Sequence, residues 1–198
     1  MEEVPTLSRL LRHLQQVPYL ASKNLYRAAT HFLEMDEKGV EQFCAILSDA
    51  KKNISPCTTC FYWQERGNGC IFCSNPKRLK GVVCVVEHWY EVLSIERTQA
   101  YDGVYHVLGG AICPLEGVGP EDLSIDQLIQ RVRSGVKELI LATSQTPEGE
   151  ATAAFVASKL KGVDVKISCL ARGMPVGSSI GAMDRLTVYK ALSERRLF

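Results

Sequence analysis

The stretch CTTCFYWQERGNGCIFC carries four cysteines as two CxxC pairs, Cys57 with Cys60 and Cys70 with Cys73. Each CxxC turns two sulfurs back toward one point, and two such knuckles close a tetrahedron around Zn2+. Gly67 and Gly69 suit a tight turn just before the second knuckle. A redox CxxC is the competing chemistry, but it stands alone at a helix start and does not come twice in so short a span. With all four positions filled by protein, no site is left for a reacting water. The ion is therefore expected to be structural, one per chain, its binding energy becoming folding energy for a segment too small to fold alone. Cys44, Cys84, Cys113 and Cys169 complete the eight cysteines. Cys84 and Cys169 sit in apolar, strand-like runs and read as buried small hydrophobes.

Carboxylates form the second group. Glu87 ends the run GVVCVVE, and Glu91 lies one helical turn beyond it. Glu148 and Glu150 follow the run VKELILAT after a short loop. Acids gathered at such strand ends can hold Mg2+ through oxygen, and they repel one another unless a cation or proton intervenes. Equally, Glu148 and Glu150 can simply favour a helix N-terminus through its dipole; from the residues alone both readings stand. No GxxxxGK[ST], GxSxG or HExxH occurs. His13, His31, His88 and His106 are scattered and read as packed or surface histidines rather than bases.

The elements that must position these groups change period at the cysteines. Before them, TLSRLLRHLQQV, SKNLYRAATHFLEM and DEKGVEQFCAILSDAKK repeat apolar residues at helical spacing. Ser22 is placed to N-cap the second helix. The short VPYLAS link makes the first two a helical hairpin. After the cysteines, strands at 81–87, 103–110, 136–143 and 163–170 alternate with helices, which predicts a parallel α/β sheet covered on both faces. Pro120 and Pro147 stand near the starts of two of those helices, and a last helix runs from Ile180.

Composition bounds the rest. The 198 residues are 46% hydrophobic and 23% charged, the balance of a soluble globular chain. No apolar run is long enough to span a membrane, and the first residues show no basic-then-apolar leader, so a cytoplasmic protein with reduced thiols is expected. The net charge of +1 hides an uneven spread. Residues 54–80 carry four bases against one acid, residues 81–165 twelve acids against six bases, and residues 166–198 six bases against two acids. Basic flanks around an acidic middle leave room for a nucleic-acid surface.

The zinc knuckles, then CVVE, GVYHVLGGAICPLEGVGPEDL, ILATSQTPEGEATAAFVASKLK and LARGMPVG, resemble in that order the recombination mediator family RecR. The resemblance runs over nearly the whole chain. It implies a helix-hairpin-helix DNA-binding region over 1–53, a four-cysteine zinc finger over 54–76, a Toprim domain over 77–170 and a C-terminal assembly segment over 171–198. It implies a non-enzymatic, nucleoid-associated protein that binds DNA and works with RecO-type and RecF-type partners to help load RecA on single strands. Homodimers and ring-like homotetramers are implied as well. The Toprim acids fall on Glu87, Glu148 and Glu150, with Glu91 where the family usually has Asp. Lys23 and Arg27 fall on its basic DNA-contacting positions, four apart on one helix face. Arg9 and Arg12 are further candidates for phosphate contact. Tyr19 and Ala21 replace two glycines of the hairpin, residues that let backbone amides approach a phosphate closely. Ser178, Ser179, Ile180 and Gly181 replace an acidic run, while Asp184 remains.

Two rival functions fit the same residues. A Mg2+-dependent Toprim-type nuclease or strand-transfer enzyme would need bound divalent metal and turnover. A zinc-stapled scaffold for protein interaction would never touch DNA.

Overall fold

The computed structural model describes residues 4–20, 22–171 and 173–195. Ala21, Arg172 and the first and last three residues lie outside the described residues. The chain divides into two compact units, Met1–Ile54 and Ser55–Phe198.

The first unit is helical: α1 (Pro5–Leu14), α2 (Ser22–Glu34) and α3 (Glu37–Asn53). Pro5 opens α1, where its missing N–H is no loss. Asp36 caps α3, its side chain accepting from the Gly39 amide at 3.0 Å. Ser22 is the first residue of α2 rather than its cap. Tyr19, in the α1–α2 link, has φ 63°, the left-handed conformation that glycine adopts without strain. Only Leu25 and Ala29 of the three helices are buried.

The second unit begins with a two-stranded sheet, β1 (Ile54–Pro56) and β2 (Trp63–Glu65). Then come β3 (Leu79–Val86), α4 (Trp89–Arg97), β4 (Gly103–Val107), α5 (Ile125–Arg133), β5 (Glu138–Leu141), α6 (Pro147–Lys159), β6 (Lys166–Cys169) and α7 (Arg185–Ser193). Strands β3 to β6 form one parallel sheet in the order β4-β3-β5-β6. The expected multi-module α/β layout is present. Strand order reverses between β3 and β5, and the carboxyl ends of that pair border the crevice where open α/β sheets bind ligands.

Alternation along β3 sorts its side chains to two cores. Val83 and Val85 pack with Leu128 and Val132 of α5, Val156 of α6 and Leu160 just after it. Cys84 and Val86 pack with Val92 of α4 and with Tyr62, Phe72 and three of the knuckle cysteines. The second face is thus covered by one helix and the cysteine module together, not by helices alone. Three further readings are corrected. The last helix does not run from Ile180: Ile180–Ala182 form a separate 3-10 turn, and α7 starts at Arg185, capped by Asp184. Pro120 opens a separate 3-10 turn, Pro120–Asp122, and α5 starts only at Ile125. Cys169 is exposed, because β6 is an edge strand with an open burial pattern. Cys84, on the inner strand β3, is buried as expected. Among the described residues, no helix is long and apolar enough to cross a membrane.

Candidate metal centre and nucleic-acid interface

Local hydrogen bonds build the first knuckle. The Cys57 amide donates to the Tyr62 carbonyl at 2.8 Å, and the Phe61 amide donates back to Cys57 at 2.9 Å. Phe61 sits at φ 61°, where an L-residue is strained by about 1–2 kcal/mol. Its ring packs edge-on against His106 at 5.3 Å, which offsets part of that strain. The second knuckle closes through the Ser74 amide on the Cys70 carbonyl. Lys80, at the start of β3, then donates to the carbonyls of Phe72, Cys73 and Asn75 at 2.6–3.0 Å. The Val107 amide reaches the Cys60 carbonyl at 2.8 Å, joining the module to the end of β4.

The four sulfurs converge. All lie within 4.8 Å of one another, and Cys60 and Cys70 are 3.5 Å apart. A tetrahedral ion with bonds of about 2.3 Å to sulfur needs sulfurs about 3.8 Å apart, so the cage fits. None of the four is in a disulfide. Cys57, Cys60 and Cys70 are buried, and Cys73 is half-buried. Hydrogen bonds from Cys70 and Cys73, then burial, push the Cys60 thiol far above its ordinary value. Hydrogen bonds to Cys60 and Cys73 draw Cys70 the other way, below its ordinary value. Cys73 is pushed up to about 12: its bond to Cys60 lowers it, but its bond to Cys70 and burial outweigh that. A second bare thiolate in this cage is opposed by the first, and a bound cation removes that opposition. The Thr59 amide points at Cys57 Sγ from 3.4 Å, an outer donor of the kind that steadies a metal-bound thiolate.

The acids lie near the carboxyl ends of β3 and β5, and Glu87, Glu91 and Glu150 each have their own partners. Glu87 is buried, and its two oxygens accept from the Ser144 amide at 2.7 Å and the Ser144 hydroxyl at 2.8 Å. That pairing spans the β3–β5 switch point. Glu91 points back along α4, one oxygen accepting from the amides of Glu87 at 2.9 Å and His88 at 3.0 Å. Glu148 and Glu150 stand in the first turn of α6, where the helix dipole favours them. Glu150 pairs with Lys190 of α7. Among the described residues, the cysteine cage is the one group of His, Cys, Asp or Glu whose ligand atoms converge this closely. Sequence reasoning did not single out Ser144, Lys80 or Lys190. Ser144 stood in the loop after a strand, which was the available signal; Lys80 and Lys190 carried none.

In the helical unit, Lys23 and Arg27 are exposed on α2, one turn apart, and Arg9 and Arg12 are exposed on α1. His106, on β4, is fully buried, with Nε2 3.0 Å from the Ser124 carbonyl. Burial pushes its imidazole down to about 4, which makes it the packed histidine expected rather than a base.

Residues 81–171 match the Toprim domain family. The whole chain is similar to proteins named Recombination protein RecR. That of Rubrobacter xylanophilus is 41% identical over 192 residues, 96% of each chain. Those of Tropheryma whipplei and Clostridium perfringens are 39% and 37% identical, covering 94% and 98% of each chain.

Proposed function

Since this chain belongs to the RecR family of recombination proteins, we propose that it is a DNA-binding mediator of recombinational repair that performs no catalysis of its own. It acts with RecO-type and RecF-type partners to help load RecA on single-stranded DNA, in the cytoplasm at the nucleoid. The observation that carries this reading is similarity along 96% of both chains, across the helical unit, the cysteine module and the sheet alike. DNA is gripped through phosphates by Lys23 and Arg27, with Arg9 and Arg12 adding charge. The geometry that supports this is a pair of exposed cations one turn apart. The protein assembles as a homodimer or a ring-like homotetramer, and a closed ring turns modest affinity per subunit into retention.

Cys57, Cys60, Cys70 and Cys73 hold one structural Zn2+, a soft four-thiolate set that suits it. Glu87, Glu91, Glu148 and Glu150 form a partner or Mg2+ surface rather than a DNA face. What supports this is their like charge, which repels phosphate unless a cation or a basic partner covers it.

The test is DNA affinity across a salt series, for the wild type and for Lys23→Ala with Arg27→Ala. Binding should be independent of sequence and fall steeply with salt. The double variant should flatten the log–log slope by about 0.7–0.9 for each phosphate it no longer neutralises. An unchanged slope and affinity would remove the assignment of DNA binding to these two residues. Turnover of nucleic acid with Mg2+ or Mn2+ that vanishes in Glu87→Gln would overturn the non-enzymatic reading.

A further inference from the structure

The two knuckles are anchored unequally. The first is tied to the sheet through the backbone, by the Val107 amide on the Cys60 carbonyl. The second has no such tie: among the described residues, the backbone hydrogen bonds of residues 70–74 stay within the knuckle. The Phe72 ring packs on Tyr105 at 4.9 Å, which seats the knuckle but leaves its peptide planes free to turn. Lys80 supplies what is missing. A lysine ammonium has three donors, and here each meets a carbonyl: Phe72 at 3.0 Å, Cys73 at 2.6 Å and Asn75 at 2.6 Å. Asn75 shapes the loop that leaves the knuckle, its side chain accepting from the Lys77 amide at 2.9 Å. The peptide group that offers the Phe72 carbonyl turns its other end, the Cys73 amide, toward the Cys70 sulfur. The peptide group that offers the Cys73 carbonyl supplies the Ser74 amide that closes the knuckle on Cys70. Lys80 therefore fixes the two peptide planes that set where Cys70 and Cys73 point. Among the described residues it has no carboxylate partner that competes for this role.

We propose that Lys80 is the latch of the metal centre: it positions Cys70 and Cys73, and the ion leaves through the second knuckle when the latch opens. The proposal rests on the reading of the four cysteines as a metal site and adds to it the residue that governs exchange. Exposure points to the same route. Cys57, Cys60 and Cys70 are buried, whereas Cys73 is half-buried. Cys73 borders a cavity of about 310 Å³ that Thr59, Lys80 and Arg131 also line. That lining holds two bases and no acid, so an anionic competing ligand is drawn toward Cys73 rather than repelled. In the exchange, a donor atom of the competing ligand takes the coordination place that the Cys73 thiolate gives up, and the freed thiolate takes a proton from water. Outer groups that orient metal ligands commonly carry about 10–100-fold in metal affinity. A side chain that holds two ligand-bearing peptides at once is placed to act at that level.

The test challenges the intact, zinc-loaded protein with an excess of 4-(2-pyridylazo)resorcinol, an anionic chelator whose zinc complex is coloured, and follows the rate of release. Lys80→Met keeps the apolar stem and removes the donors, and it should quicken release about 10–100-fold. Lys77→Met loses the same charge three residues earlier and should release at the wild-type rate. Lys80→Arg keeps the charge, but its planar fork cannot meet three carbonyls at once, so it should recover only part of the slowness. Hydrogen exchange at β4 and β5 of the loaded Lys80→Met variant should change far less than release does. Release that quickens no more than this exchange makes Lys80 a merely structural residue and overturns the latch, as does release at the wild-type rate. A further arm needs no variant. With N-ethylmaleimide present during release from the wild type, peptide mass spectrometry should find Cys70 and Cys73 alkylated before Cys57 and Cys60. The opposite order overturns the exit through the second knuckle while sparing the metal site. Native wild type purified without bound metal overturns the metal reading itself, and the latch with it.

Discussion

Gly149 is the most informative single position at the switch point, because two effects of opposite sign meet there. It lies in the first turn of α6, where its amide donates to the capping Thr146 hydroxyl at 3.2 Å. Replacing a helical glycine by alanine ordinarily stabilises by about 0.5–1 kcal/mol. Here, however, the added methyl would collide with the Ser144 carbonyl oxygen and stand 2.8 Å from Glu87 Oε1. The carbonyl is backbone and cannot rotate away. The carboxylate is held by the Ser144 amide and hydroxyl. Overpacking of this kind costs about 1–3 kcal/mol. Displacing a buried carboxylate from a charged hydrogen bond costs about 1.5–3 kcal/mol more if that bond breaks outright. The clash therefore wins, and Gly149→Ala should destabilise by a net of about 1–3 kcal/mol, lowering the melting midpoint by roughly 3–10 °C. Urea unfolding, with the slope m unchanged and the midpoint reduced, measures it. A midpoint equal to or above wild type would refute the close approach of the β5–α6 loop to Glu87.

Three further outcomes are expected. His106 titrates at about 4 in the folded chain against 6.5 ordinarily, so the unfolded chain takes up the proton first. Stability should be intact above about pH 6.5 and decline by about 3 kcal/mol on acidification to pH 4; a His106→Gln variant whose stability declines just as steeply over that range would sink this. Metal removal should unfold the sheet and not merely loosen the knuckles, because zinc binding of about 10–16 kcal/mol rivals the whole stability of a domain, about 5–15 kcal/mol. Retained hydrogen-exchange protection at β3 and β4 in the metal-free protein would contradict it. Tyr19 is fully exposed in a left-handed conformation, so Tyr19→Gly should stabilise by up to about 1 kcal/mol; a lower melting midpoint would show that the tyrosine ring has a partner.

What could be read from the residues follows the range of the interactions. The cysteine cage was legible because each knuckle is local, and two local devices of one kind close a site with little help from topology. The alternation of strands and helices was legible for the same reason. Strand order was not. Nothing in KISC distinguishes an edge from a centre, so exposed Cys169 looked like buried Cys84. The partners of the acids were equally hidden, since Ser144 is 57 positions from Glu87 and Lys190 is 40 from Glu150. Covering of the second sheet face by the cysteine module was also out of reach. It depends on Tyr62 and Phe72 meeting Val86 and Tyr105 across folded distance, whereas the sequence shows only a short aromatic run beside the cysteines.

The acid set is graded rather than uniform, and the gradient bears on what it can meet. Glu87 is 6% exposed and takes two donors from Ser144, which hold its carboxylate in a buried place. Glu91 takes two backbone amides at the start of α4, and drawing its carboxylate toward a metal would uncap that helix. Glu150 is different. Its pair with Lys190 leaves the two side chains 37% and 25% exposed, and pairs of that exposure contribute less than about 1 kcal/mol. An incoming lysine or arginine on a partner could exchange with Lys190 at small cost. Catalysis by two metals would need the deep acids mobile, whereas docking of a basic surface needs only the outer ones. The gradient from Glu87 outward to Glu150 therefore favours docking, with Glu87 as the tie between β3 and β5 and Glu150 as the exchangeable rim.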